Sequence, residues 1–212
     1  MKRILLLFIS LFIYFGQTVS AQDIATIFSD MPDQYLPQLD VAWRKDLVDL
    51  YKFGKEAKLQ NLMAGYSTLV RLEPDYLLLQ QSEKSTLEMK MLPLINNTYL
   101  LCVVTTVDGP VSDSRIEFFT TDWEPLDKAE LLTPVTQEWF LKDTRNKNSD
   151  AYLDAISRLD MELIKYQLSP DNQTLTATYT TPLYLSREDQ EKIQPFLKEE
   201  PKVYKWNKNG FK

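Results

Sequence analysis

The sequence contains no histidine, and Cys102 is its single cysteine in 212 residues. Without histidine there is no Ser-His-Asp or Cys-His catalysis, no imidazole acid–base chemistry and no ordinary zinc site. Any enzyme chemistry would rest on carboxylates, lysine or tyrosine. One cysteine allows no internal disulfide. Its neighbours Leu101, Val103 and Val104 mark it as a small apolar residue of a buried strand, not a nucleophile. Only five glycines are present, too few for a phosphate-cradling loop. Asp108-Gly109 lacks the Asp-x-Asp-x-Asp-Gly continuation of a calcium loop. No cofactor and no metal are therefore expected. Contiguous basic stretches are also missing, and the formal net charge is −6. Neither nucleic acid nor an anionic membrane surface would be attracted to such a chain.

What is present begins with a secretory signature. Met1-Lys2-Arg3 precedes an apolar run over residues 4–15, and Val19 and Ala21 form a small-x-small cleavage site. The run is shorter than the roughly 20 residues of a spanning helix. Cleavage after Ala21 is expected, with no membrane anchor left behind. Loss of Lys2 and Arg3 takes the formal charge from −6 to −8 over the remaining 191 residues. That length suffices for one domain, residues 22–212. The polar run Lys142-Asp-Thr-Arg-Asn-Lys-Asn-Ser149 is the place for a subdivision, near residues 142–150.

The core is expected around Tyr99-Leu-Leu-Cys-Val-Val-Thr-Thr-Val107, whose near-continuous apolar pattern predicts a strand covered on both faces. Asp108-Gly-Pro110 turns it into a second strand carrying Ile116 and Phe118. Upstream, Tyr76-Leu-Leu-Leu-Gln80 and Leu87-Glu-Met-Lys-Met91 predict a hairpin, with Glu88 and Lys90 on a solvated face. These four strands form an antiparallel meander. A helix is predicted after the N-cap Asp40, with Trp43, Leu47, Leu50 and Tyr51 inward, Arg44, Lys45, Asp49 and Lys52 outward, and Gly54 at its end. Thr133-Pro134 is expected to start a short helix carrying Trp139 and Phe140. Helices after Ser149 and Ser186 alternate with strands at residues 162–168, 174–179 and 202–206. The fold class is α+β: an antiparallel meander with helices on one face. One continuous sheet and two similar α+β halves both fit the pattern.

Candidate chemistry is sparse. Glu73 and Asp75, Asp108 and Asp113, and Asp122 and Glu124 are neighbouring acids of the kind a glycosidase pairs. In so acidic a chain, however, turns explain them. Tyr99, Asp113, Arg115 and Trp123 form the candidate surface for a ligand or partner: two aromatic faces, an acid, and an arginine able to clamp a carboxylate or to pair with Asp113 or Glu117. The expected function is non-enzymatic binding of a partner protein or small ligand. The alternative is a carboxylate-dependent hydrolase acting on glycans.

One resemblance adds to this. Asp46-Leu-Val-Asp-Leu-Tyr51, Asp75-Tyr76-Leu77, and Thr106-Val-Asp-Gly-Pro110 with Asp113-Ser114 and the run from Phe118 to Trp123 resemble a family of small exported proteins from Bacteroides-type bacteria, a domain of unknown function. The likeness spans residues 23–206. It implies a periplasmic or outer-surface location in a Gram-negative anaerobe, and it carries no activity and no site residue.

Overall fold

The computed structural model describes residues 23–143 and 147–212. The expected signal segment, and residues 144–146 of the polar run, lie outside them.

Two short elements open the fold: helix α1 (Ile24–Ser29), capped by Asp23, and a 3-10 turn (Asp33–Tyr35). Helix α2 (Val41–Lys52) starts as expected at Asp40, whose Oδ1 accepts the Trp43 N–H at 3.0 Å. It ends at Gly54, in the left-handed region at φ 67°. Seven strands follow in chain order: β1 (Lys58–Gln60), β2 (Tyr66–Leu72), β3 (Tyr76–Ser82), β4 (Ser85–Pro93), β5 (Tyr99–Asp108), β6 (Ser112–Thr120) and β7 (Pro125–Leu126). They make one antiparallel meander in which every strand pairs with its sequence neighbours. The expected four strands are its centre. β1 and β2 were not expected, because their burial inverts the usual pattern: Ser67 is buried, whereas Tyr66 and Val70 are exposed.

The odd-numbered residues of β3 to β5 and Phe119 of β6 face α1 and α2. Leu77, Leu79, Leu87, Met89, Leu101, Val103 and Phe119 meet Ile24, Ile27, Phe28 and Leu47 in an apolar layer. Arg44 does not lie on the solvated side of α2. It is 1% exposed, and its guanidinium donates to the carbonyls of Ser29, Met31 and Leu39 and to Asp33. A planar donor fork can satisfy several inward-pointing carbonyls at once, and the loop before α2 supplies them.

The chain continues through α3 (Lys128–Leu131), α4 (Gln137–Phe140) and α5 (Asp150–Ile156), then β8 (Ile164–Leu168), β9 (Thr174–Tyr179), α6 (Thr181–Tyr184), α7 (Arg187–Ile193), a 3-10 turn (Gln194–Phe196) and β10 (Lys202–Lys205). Thr133 and Pro134 lie outside helix and strand. The helix starts three residues later, at Gln137.

The three late strands form a second antiparallel sheet, ordered β10-β9-β8. It neither continues the meander nor stands beside it, but covers the meander's other face. There Leu100, Cys102, Val104, Ile116 and Phe118 pack against Ile164, Tyr166, Leu168, Leu175, Ala177 and Tyr204. Glu88 and Lys90, expected in solvent, are 7% and 2% exposed under this second sheet. β8 is an edge strand, and its outward amides are capped by side chains. Asp113 Oδ1 accepts from Ile164 at 3.1 Å, Ser114 Oγ from Tyr166 at 3.0 Å, and Glu88 Oε2 from Leu168 at 2.7 Å. An edge protected in this way offers no free ladder for another chain. Lys90 Nζ meets Asp75 Oδ2 at 3.0 Å and donates to the Pro170 carbonyl at 2.8 Å, which fixes the turn between β8 and β9.

Candidate ligand groove

The four residues expected to form one surface do not come together. Tyr99, half-exposed, begins β5, whereas Arg115 pairs with Thr105 six residues along that strand, about 20 Å away at the usual rise. Arg115 Nε pairs with Glu117 Oε2 at 3.0 Å, one of the two partners expected for it. Asp113 is engaged by the Ile164 amide. Trp123 presents no surface: it is 7% exposed, stacked on Tyr35 at 5.7 Å, and its Nε1 donates to the Ile27 carbonyl. The turn needed to place that ring inward puts Trp123 at φ 66°.

Three more of the neighbouring acids have structural partners, whereas the Asp122 and Glu124 side chains bond to nothing among the described residues. Glu73 pairs with Arg71 at 3.1 Å, Asp75 with Lys90, and Asp108 accepts from the Ser112 hydroxyl. Glu88 is the one acid pushed up to about 7, by burial between the two sheets, and its Oε2 is taken by the Leu168 amide. Burial likewise raises the Cys102 thiol well above its ordinary value, leaving no reactive thiolate. Among the described residues, no group of three acids or cysteines is placed to hold a metal.

A different place combines a cavity, aromatic rings and charge. Between β10 and the segment 133–136 lies a groove of about 380 Å³, lined by Pro134, Val135, Trp139, Lys202, Tyr204 and Phe211 among others. Three local features build it. Pro134 and the late start of α4 keep the segment out of a helix, and the Thr133 carbonyl accepts the Tyr204 hydroxyl at 2.9 Å. α4 then carries Trp139 to the rim and sends Phe140 into the core, 2% exposed. After β10 the chain reverses, and Phe211 donates its N–H to the Leu131 carbonyl at 2.7 Å. Gly210 permits this approach, since a Cβ there would stand 3.0 Å from the Leu131 carbonyl oxygen.

The charge on this groove is positive. Lys202 Nζ lies 5.3 Å from the Trp139 ring centre and 5.3 Å from that of Tyr204. Lys198 Nζ sits 4.4 Å from the Trp139 ring and donates to the Trp139 carbonyl, but it lines the neighbouring cavity with Phe140 and Tyr179 and not this groove. Lys212 completes the wall. Among the described residues none of these three lysines forms an ion pair with an acid, a state they share with Lys55, Lys58, Lys84, Lys128 and Lys165, whereas Lys45, Lys52, Lys90, Lys147 and Lys192 are paired. Acids are near as well: Glu138, whose carboxylate is held below its usual value by the Thr136 hydroxyl, and Glu162, whose Oε1 accepts the Gln137 N–H at 2.8 Å. Sequence reasoning placed Trp139 and residues 202–206 in their elements without joining them. The available signal was the spacing of Lys198, Lys202, Lys205, Lys208 and Lys212, five lysines in the last 15 residues of an acidic chain.

The model of the family described as "Protein of unknown function (DUF3256)" matches residues 16–211. The chain belongs to the DUF3256 family. The chain is also similar to a solved domain of an uncharacterized protein from Porphyromonas gingivalis W83. It is 30% identical, superposes with a TM-score of 0.80, and the match covers 88% of this chain and 96% of that one. No curated protein matches. The expected membership in a family of unknown function therefore holds, and the DUF3256 fold is α+β, as the strand and helix signals predicted.

Proposed function

We propose that this DUF3256 protein is a non-enzymatic, exported binding protein and that its ligand site is the groove between residues 133–139 and β10. The observation that carries the reading is an aromatic cavity with Lys202, free of any acid partner among the described residues, held between the rings of Trp139 and Tyr204, in a chain whose formal charge is −6. Lys202 is set apart by its place between two rings on that cavity, since other lysines, such as Lys55, Lys84 and Lys165, also lack an acid partner among the described residues. Cations left unpaired beside apolar walls are what a binding site uses to orient a ligand. Export is supported by the basic start, the short apolar run and the small-x-small site ending at Ala21. A periplasmic or outer-surface location follows from that segment and from the resemblance to exported proteins.

The test is mass spectrometry of the protein purified natively from its own cell envelope, with crosslinking before lysis. Export predicts a mature chain beginning at Gln22 in that fraction. Binding predicts a co-purified small molecule that a Trp139→Ala variant loses. A full-length cytoplasmic protein would refute export. A molecule retained by Trp139→Ala, or crosslinks mapping only to other surfaces, would refute the groove.

A further inference from the structure

Resting on that reading of the groove, we infer its ligand class: an organic carboxylate carried on a flat apolar body about the size of one ring. The charge, the walls and the volume each point the same way.

The Lys202 ammonium is bracketed by two rings, at 5.3 Å from each centre. Rings attract a cation without neutralising it, so the charge stays available to an incoming anion. Lys212 adds a second lysine on the wall, and Lys198 stands at the Trp139 ring just outside the lining. All three are point charges on flexible stems. A carboxylate needs only one or two such charges, whereas a fixed fork suited to bidentate recognition is missing from the lining. The remaining lining is largely apolar, Pro134, Val135 and Phe211 with the faces of Trp139 and Tyr204, and adds Thr133 and Thr136. It would hold a ring but not a bare inorganic anion. A volume of about 380 Å³ lies at the small end of ligand pockets, room for a single ring with its acid group. Glu138 at the rim sharpens the choice, because it repels a multiply charged anion more than a monocarboxylate.

The experiment compares two compounds that differ only in charge, phenylacetate and phenylacetamide, by NMR titration of the purified protein. Saturable shifts of the Trp139 indole and of the backbone amides at residues 133–136 are expected with phenylacetate. The amide should bind at least about ten-fold more weakly. About 0.5 M NaCl should erase most of that difference, since the ammonium groups face solvent. A Lys202→Met variant, which keeps the stem and removes the charge, should lose the preference while its spectrum remains folded. Equal binding of the two compounds would overturn the carboxylate class and leave the groove as a site. Binding of neither, or shifts away from the groove, would overturn the inference. The co-purification experiment then decides separately whether the groove reading falls with it.

Discussion

The two faces of the seven-stranded meander are covered by opposite means. Toward α1 and α2 the strands present leucine, methionine, valine and phenylalanine, and the one buried ion, Arg44, is spent on loop carbonyls away from the strands. Toward the second sheet the same strands present Glu88 and Lys90 beside Cys102 and Val104, and their polar atoms hold the backbone of β8 and its turn. The helix face is held by packing, which is indifferent to pH and costly to change in volume. The sheet face is held partly by hydrogen bonds to ionisable groups, which can be titrated. A helix arrives with its own backbone satisfied, but an edge strand such as β8 brings unpaired amides that something must meet.

The largest effect should come from the one ion on the dry side. Arg44→Met removes every donor from the carbonyls of Ser29, Met31 and Leu39 and leaves them buried. Loss of a buried, multiply bonded charge costs on the order of 3–5 kcal/mol. Denaturant unfolding should show that loss, with an unchanged slope against denaturant concentration. A cost below about 1 kcal/mol would mean that water replaces the guanidinium and that the loop needs no such anchor.

Glu88 tests the opposite face, and with opposite sign. Its carboxyl is raised from an ordinary 4.5 to about 7 by burial, so between those values the folded protein holds a proton that the unfolded chain has lost. Stability therefore falls as pH rises from about 4.5 to 7 and stays at the lower level above 7. Glu88→Gln keeps an oxygen for the Leu168 amide and removes the ionisation. It should stabilise the protein by on the order of 3 kcal/mol at pH 8. The gain should vanish near pH 4, and the fall between should flatten. Melting curves across that range check it. A wild-type profile flat from pH 5 to 8 would show that the Glu88 site is far wetter than its burial implies.

Ser114 is the gentler probe of the same seam. Its Oγ sits 2.8 Å from the Thr106 hydroxyl and accepts the Tyr166 amide. Ser114→Ala leaves that amide without its acceptor and should cost about 1 kcal/mol. The amide should then exchange with solvent faster than that of Leu168, which keeps Glu88. Equal exchange at the two positions would place the strength of the seam in its apolar contacts.

This asymmetry also explains what the sequence disclosed and what it hid. Leu87-Glu-Met-Lys-Met91 alternates as a strand must, and the strand is there. The pattern cannot say whether its charged side meets water or another layer, because Glu88 and Lys90 find partners 80 residues away in the chain. Arg44 misleads for the same reason. Helical spacing assigns it a side of α2, but the carbonyls that bury it come from a loop of no regular period. The caps at Asp40, Ser149 and Ser186 were legible because their partners lie three residues on. The groove was not, since it is made where Gly210 lets the chain turn back against Leu131 and where Tyr204 reaches Thr133 across 71 positions.

The smallest expected effect belongs to Arg115, an exposed member of the surface that the sequence predicted. Its guanidinium pairs with Glu117 on the same strand, at 3.0 Å, with the arginine side chain 70% exposed. A pair this wet gains little over two solvated ions and costs side-chain freedom to hold. Arg115→Ala should change unfolding free energy by less than about 0.5 kcal/mol, and the change should shrink further in salt. It touches neither sealed face, so the Arg44 and Glu88 effects should remain the same in its background, their sites sharing no partner with it. A cost above about 1 kcal/mol would instead show that the uncovered end of β6 carries stability through charge. The contrast between a packed face and a hydrogen-bonded one would then need a third, electrostatic surface beside them.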